Sequence, residues 1–100
     1  MWWATLPPPA YARPVVLVNR ESAYRKRTHV LVVPVTRHVR GLLSEVTLDG
    51  HNGLAHPSVA NCDTIQLAAK SWLEHRVGEL DVTQTERLGR ALRYALGLDN

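Results

Sequence analysis

Ten arginines, five histidines, three tryptophans and one cysteine are the side chains from which a site in this 100-residue chain would be built. Ten of the twelve basic residues are arginine. A guanidinium offers a planar fork of donors that meets two phosphate oxygens at once. With a formal charge of +3 and a pI near 9.5, this composition suits a polyanionic partner without requiring one. The histidines, His29, His38, His51, His56 and His75, carry the one side chain that changes charge near neutral pH. None stands at a motif spacing, and the absence of H-x-H and H-x-x-x-H pairs argues against a metal site. Cys62, alone, excludes a disulfide within the chain and a multi-thiolate zinc site. It is read as a small buried apolar residue in a protein of the reducing cytoplasm.

These residues need elements to hold them. Residues 2–6 (WWATL) read as a short strand, closed by Pro7-Pro8-Pro9, which cannot donate to a ladder. Residues 14–18 and 29–36 are β-branched and apolar, the pattern of buried strands. Pro34 implies an edge, a bulge or a strand end. Residues 21–28 read as an exposed connection and 37–43 as a basic loop. Residues 44–48 alternate as a half-buried strand does, and 49–53 carry strong turn signals. Residues 58–62 and 64–68 read as short strands flanking Asp63, and 76–80 as the last strand.

A helix follows. Thr83-Gln84-Thr85-Glu86 has capping-box spacing, and Leu88, Ala91, Leu92, Ala95 and Leu96 form one apolar stripe. Gly97 stands where a helix C-cap wants positive φ. The expected fold is mainly β: a single domain over 1–100, a small barrel of about six to seven short strands with one C-terminal α-helix. The longest apolar run, residues 30–35, is far too short for a membrane span of ~20 residues. No secretory signal is evident at the N-terminus.

Four stretches in order carry a resemblance. They are Trp2-Trp3-Ala4-Thr5-Leu6, Arg13-Pro14-Val15-Val16-Leu17-Val18, and Val32-Val33-Pro34-Val35-Thr36 with Arg40-Gly41-Leu42 and Glu45-Val46-Thr47-Leu48. The fourth is Ser58-Val59-Ala60-Asn61-Cys62-Asp63-Thr64-Ile65-Gln66, with Arg76-Val77-Gly78-Glu79-Leu80 and the closing helix. The whole resembles the MazF/PemK mRNA interferase toxins. The resemblance implies an SH3-like barrel, a homodimer, and cleavage of single-stranded RNA at short motifs without metal or cofactor. It also implies a cognate antitoxin that blocks the RNA groove. By motif position it makes Arg13 and Thr36 the catalytic residues.

Two departures stand out. The chain starts at Met1-Trp2, without the basic-Gly-acidic lead-in of family members, so either the first strand is short or the true start lies upstream. The 6–13 connection is short and proline-rich where many members have a longer loop, so substrate gating is expected to differ.

On this reading Arg13 stabilises charge at the reacting phosphate and Thr36 donates to a non-bridging oxygen. Arg37, His38 and Arg40 contact the RNA backbone, and Trp3 stacks on a base while its neighbour Trp2 turns inward. Asn61 and Gln66 read base edges. Glu45 is either a base near the groove or an outward strand residue. Two rival readings remain: a gyrase poison of the CcdB type, which has the same fold and needs no Arg13–Thr36 pair, and a non-catalytic RNA-binding remnant.

Overall fold

The computed structural model describes residues 1–18 and 21–98. Strands β1 (Trp2–Thr5), β2 (Ala12–Leu17), β3 (His29–Thr36), β4 (Glu45–Leu48), β5 (Ser58–Asn61), β6 (Gln66–Ala69) and β7 (Leu73–Arg76) form one antiparallel sheet. Helix α1 (Glu21–Lys26) joins β2 to β3, and α2 (Val82–Ala95) follows the last strand. The strand order is β4-β5-β3-β2-β1-β7, with β6 also on β3. The sheet curls as a barrel does, but no ladder joins β4 to β7 among the described residues.

Strand β3 is the axis of the fold because it is apolar on both faces. Val30 and Val32 enter one core with Ala4, Leu6, Val15 and Ala68. Val33 and Val35 enter the other, with Val16, Val46, Leu48, Ala60, Leu88 and Ala91. Alternate residues of a strand point to opposite sides, so a continuous valine run is what a strand between two cores requires. Pro34 lies inside this strand, between Val32, the last residue paired with β6, and Val35, the first paired with β5. It marks a change of partner.

Several elements differ from the sequence reading. Residues 21–26 form α1, and its C-terminal end is held by Lys70, whose Nζ donates to Tyr24 O at 2.8 Å and sits 4.4 Å from the Tyr24 ring centroid. The last strand is β7, residues 73–76, in place of 76–80. Among the described residues it pairs only with β1, and an edge strand of this kind carries no alternating apolar face. Residues 62–64 turn as a 3₁₀ helix, which moves β6 to Gln66–Ala69.

Helix α2 begins two residues earlier than its Thr83 signal. Asp81 is the N-cap, accepting from Gln84 N at 2.7 Å while the Gln84 side chain accepts from Asp81 N at 3.0 Å. The box therefore uses Asp81 and Gln84 in place of Thr83 and Glu86. Its other end stops as expected: Gly97 has φ +69°, with Leu98 N donating to Arg93 O at 2.8 Å and Gly97 N to Tyr94 O at 3.2 Å. Leu96 lies beyond the last turn and is exposed, so it leaves the apolar stripe.

Strand β1 is short but held on both sides, by β2 and β7. The Met1 ammonium donates to Gly78 O at 2.8 Å, and Val77 N donates back to Met1 O at 2.9 Å. At this crossing a Cβ on Gly78 would lie 2.0 Å from Asn52 O, so the two segments touch through glycine. Beneath it the Asn52 and Gln84 side chains exchange two hydrogen bonds, at 2.7 and 2.9 Å. Asn52 Nδ2 also donates to Glu79 O, and Gln84 Nε2 to Thr47 O. This buried amide pair ties α2 to the turn after β4.

Candidate active site

Arg13 is placed by the reversal between β1 and β2. Ala10 N donates to Pro7 O at 3.1 Å, and Leu6 N to Tyr11 O at 3.0 Å. Tyr11 takes φ +54°, a conformation costing an ordinary residue ~1–2 kcal/mol. The reversal delivers the Ala10 carbonyl to Arg13, whose Nε donates to it at 2.8 Å. One edge of the guanidinium is thereby fixed. The Nη groups have no carboxylate partner among the described residues.

Thr36 closes β3, in register with Val59 of β5. Its Oγ1 accepts from His38 N at 3.1 Å, which leaves the hydroxyl proton to donate elsewhere. Arg13 and Thr36 share the wall between two cavities. The smaller, about 190 Å³, is completed by Pro34, His38, Arg40, Asn61 and Thr64. The larger, about 550 Å³, is also lined by Trp3, Arg37, His56 and His75. Among the described residues no carboxylate lines either cavity. In a concave site of this charge, field lines focus and an anion is drawn in.

Residues 1–96 match the family of PemK-like, MazF-like toxins of type II toxin-antitoxin systems. The chain belongs to this family. It is 41% identical over 88 residues to endoribonuclease MazF3 of Mycobacterium tuberculosis, spanning 88% of this chain and 85% of that protein. It is 31% identical over 97 residues to the probable endoribonuclease MazF5 of the same organism, spanning 96% and 88%. The structure of Mycobacterium tuberculosis toxin MazF-mt6 superposes with a TM-score of 0.91 at 38% identity, covering 99% of this chain and 97% of that one. A mycobacterial endoribonuclease solved with its cognate antitoxin has the same fold, with a TM-score of 0.84 at 23% identity over 99% and 94% of the two chains.

In this MazF-like toxin most residues singled out from sequence meet at the two cavities. Arg13, Thr36, His38, Arg40 and Asn61 line the smaller, and Trp3 and Arg37 join Arg13 and Thr36 in the larger. Gln66 does not join them. It sits on β6 opposite Val32 and lines neither cavity. Asn61 Oδ1 accepts from Asp63 N at 3.0 Å, which leaves its amide nitrogen and one oxygen lone pair to address a ligand.

Glu45 is neither a free base nor a bystander. Its Oε1 accepts from Gly41 N at 2.9 Å, Arg40 N at 3.1 Å and Leu42 N at 3.2 Å. Gly41, at φ +72°, lets these amides converge. The carboxylate thereby fixes the loop that carries Arg40. His56 and His75, absent from the sequence-based site, line the larger cavity. His75 arrives as the cross-strand partner of Trp3, their rings within 11° of parallel and 6.3 Å apart between centroids. Only the β1–β7 pairing brings those two positions together, and no spacing in the sequence announces it.

Cys62 is buried, and burial, with Asp63 beside it, pushes its thiol up to about 11. The helix arginines Arg87 and Arg90 line a third, shallower groove with Leu42, Leu43 and Tyr94, away from Arg13. Among the described residues no three metal-ligating side chains come together, and no helix is long and apolar enough to cross a membrane.

Proposed function

We propose that this toxin is a metal-independent endoribonuclease that cuts single-stranded RNA at a short recurring motif, by attack of a ribose 2′-hydroxyl on the adjacent phosphate. The observation that carries the reading is the Arg13–Thr36 pair on the wall common to two cationic cavities. Relatives of 41% and 31% identity that are named endoribonucleases support it.

The scissile phosphate lies against this wall. Arg13, with Nε held by Ala10 O, presents its Nη donors to the non-bridging oxygens as they gain charge. Positioned donors of this kind are the largest single source of stabilisation in such reactions. The Thr36 hydroxyl, whose oxygen accepts from His38 N, adds another through its proton. Arg37 and Arg40 meet neighbouring phosphates, and the Trp3 ring supplies a stacking surface for a base. The 2′-oxygen–phosphorus bond forms as the bond to the 5′-oxygen breaks, giving a 2′,3′-cyclic phosphate and a 5′-hydroxyl.

The active species is a homodimer. The cross-strand neighbours Leu31 and Leu67, both exposed, offer apolar surface for a second copy. A cognate antitoxin silences the enzyme by covering the same basic cavities.

The test incubates purified protein with a long single-stranded RNA in EDTA, with Arg13→Ala in parallel, and maps the product ends. Cleavage at recurring motifs with 2′,3′-cyclic phosphate ends, lost in Arg13→Ala, is the expected result. Intact RNA overturns the reading and makes gyrase supercoiling the next assay.

A further inference from the structure

The geometry points to His38 as the catalytic base that takes the proton from the attacking 2′-hydroxyl. The inference rests on the ribonuclease reading above and adds the one role that Arg13 and Thr36 leave open. A guanidinium stays protonated, so Arg13 is suited to holding charge and unsuited to accepting a proton.

The two cavities divide the work. The larger holds the near-parallel Trp3 and His75 rings, a surface for a flat base. The smaller, about 190 Å³, has room for little more than a phosphate and the hydroxyl beside it. Its walls contain two guanidiniums, two hydroxyls, one carboxamide, one proline and one imidazole. Among these side chains only the imidazole of His38 has a ring nitrogen that can accept a proton and later release it.

The carboxylates on neighbouring elements are spoken for. Glu45 of β4 holds the amides of the 40–42 loop, and Asp63 accepts from Ser44 Oγ at 2.6 Å. The other charged groups lining this cavity are Arg13 from β2 and Arg40 on the loop of His38 itself, while Arg37 of that loop lines the larger cavity. Position is set by the backbone: His38 N donates to Thr36 Oγ1 at 3.1 Å. That bond ties the loop bearing the imidazole to the donor that faces the phosphate.

In the step, the 2′-hydroxyl proton passes to a ring nitrogen of His38 as the 2′-oxygen–phosphorus bond forms. The electron pair of the breaking bond leaves on the 5′-oxygen, which takes a proton from water at the open face of the site. The imidazolium then returns its proton to solvent, so the cycle consumes neither acid nor base.

Single-turnover cleavage of the long RNA in EDTA, followed from about pH 5 to about pH 8.5 for wild type and His38→Ala, tests this. In wild type the rate rises with pH across the imidazole range. In His38→Ala the rate falls by ~10²–10³, the rise disappears, and added free imidazole restores part of the rate. His56→Ala keeps the rise. His38 is exposed, so the variant is expected to fold, and far-UV circular dichroism confirms that it has. A His38→Ala enzyme that keeps the wild-type profile overturns the assignment while leaving the ribonuclease reading intact. So does a rate loss with the pH rise retained, or a rise that vanishes in His56→Ala instead. A wild type that never cuts RNA overturns both.

Discussion

Two polar regions of this small protein are built to opposite rules. At the foot of α2, Asn52 and Gln84 are 1% and 9% exposed and spend their amides on each other and on the carbonyls of Glu79 and Thr47. Among the described residues no buried side-chain nitrogen or oxygen lacks a partner. At the junction of β2 and β3, Arg13 and Thr36 are each engaged on one side only: Nε by Ala10 O, Oγ1 by His38 N. Both side chains line open cavities. A closed polar network stabilises because every group removed from water is repaid by a hydrogen bond. A half-closed one orients a side chain and keeps its last donors for a ligand. The first kind of region specifies a fold, and the second specifies a site.

Substitutions can break that contrast. Arg13→Ala has the largest expected effect: cleavage falls by ~10²–10³ while urea denaturation shifts by only ~1 kcal/mol, the worth of one hydrogen bond. A large loss of stability in that variant would make Arg13 part of the scaffold. Gly78→Ala should do the reverse. Its Cβ would meet the backbone Asn52 O at 2.0 Å, and a cost of ~3 kcal/mol is expected, read from the urea midpoint.

Gln84→Leu is expected to cost ~2 kcal/mol, because Asn52 is left buried without its partner. Adding Asn52→Leu should cost less than the two singles together, and the folded fraction should still cut RNA. Additive losses would mean the two amides act independently.

The smallest effect concerns Cys62. Its thiol lies at about 11 against an ordinary 9.0, raised by burial and by Asp63. The folded state thus holds a proton that the unfolded state gives up first. This contribution to stability is full below about pH 9 and declines as pH rises toward 11. A thiol reagent at pH 8 should label Cys62 only as fast as the chain opens, and rapid labelling of folded protein would contradict its burial.

Much of the scaffold was written locally. The valine runs of β2 and β3, the turn at 49–53 and Gly97 at the end of α2 each depend on neighbours within a few residues, through side-chain alternation or positive φ. Arg13, Thr36 and Arg40 were legible because ordered motifs contain them, and His38 because it stands two residues past Thr36. The misses share a cause. β7 is an edge strand with polar residues, so it carries no periodic signal. The start of α2 has two candidate boxes, and Gln84 is claimed by a buried partner 32 residues away. Glu45 looks like any outward strand residue until the loop ahead of it folds back onto its carboxylate.

By itself, then, the amino-acid sequence determined the apolar strands β2 and β3, the turn at 49–53 and the closing helix, and that an arginine stands at the start of one of those strands and a threonine at the end of the other. Only the tertiary structure decided that these two share a wall between two cavities, that among the described residues no carboxylate lines either, and that three of the five histidines line them while Gln66 does not. Alternation and φ preference act over a few residues. Which side chains face one another is settled by ladders such as β1–β7 and β3–β5, which join positions tens of residues apart.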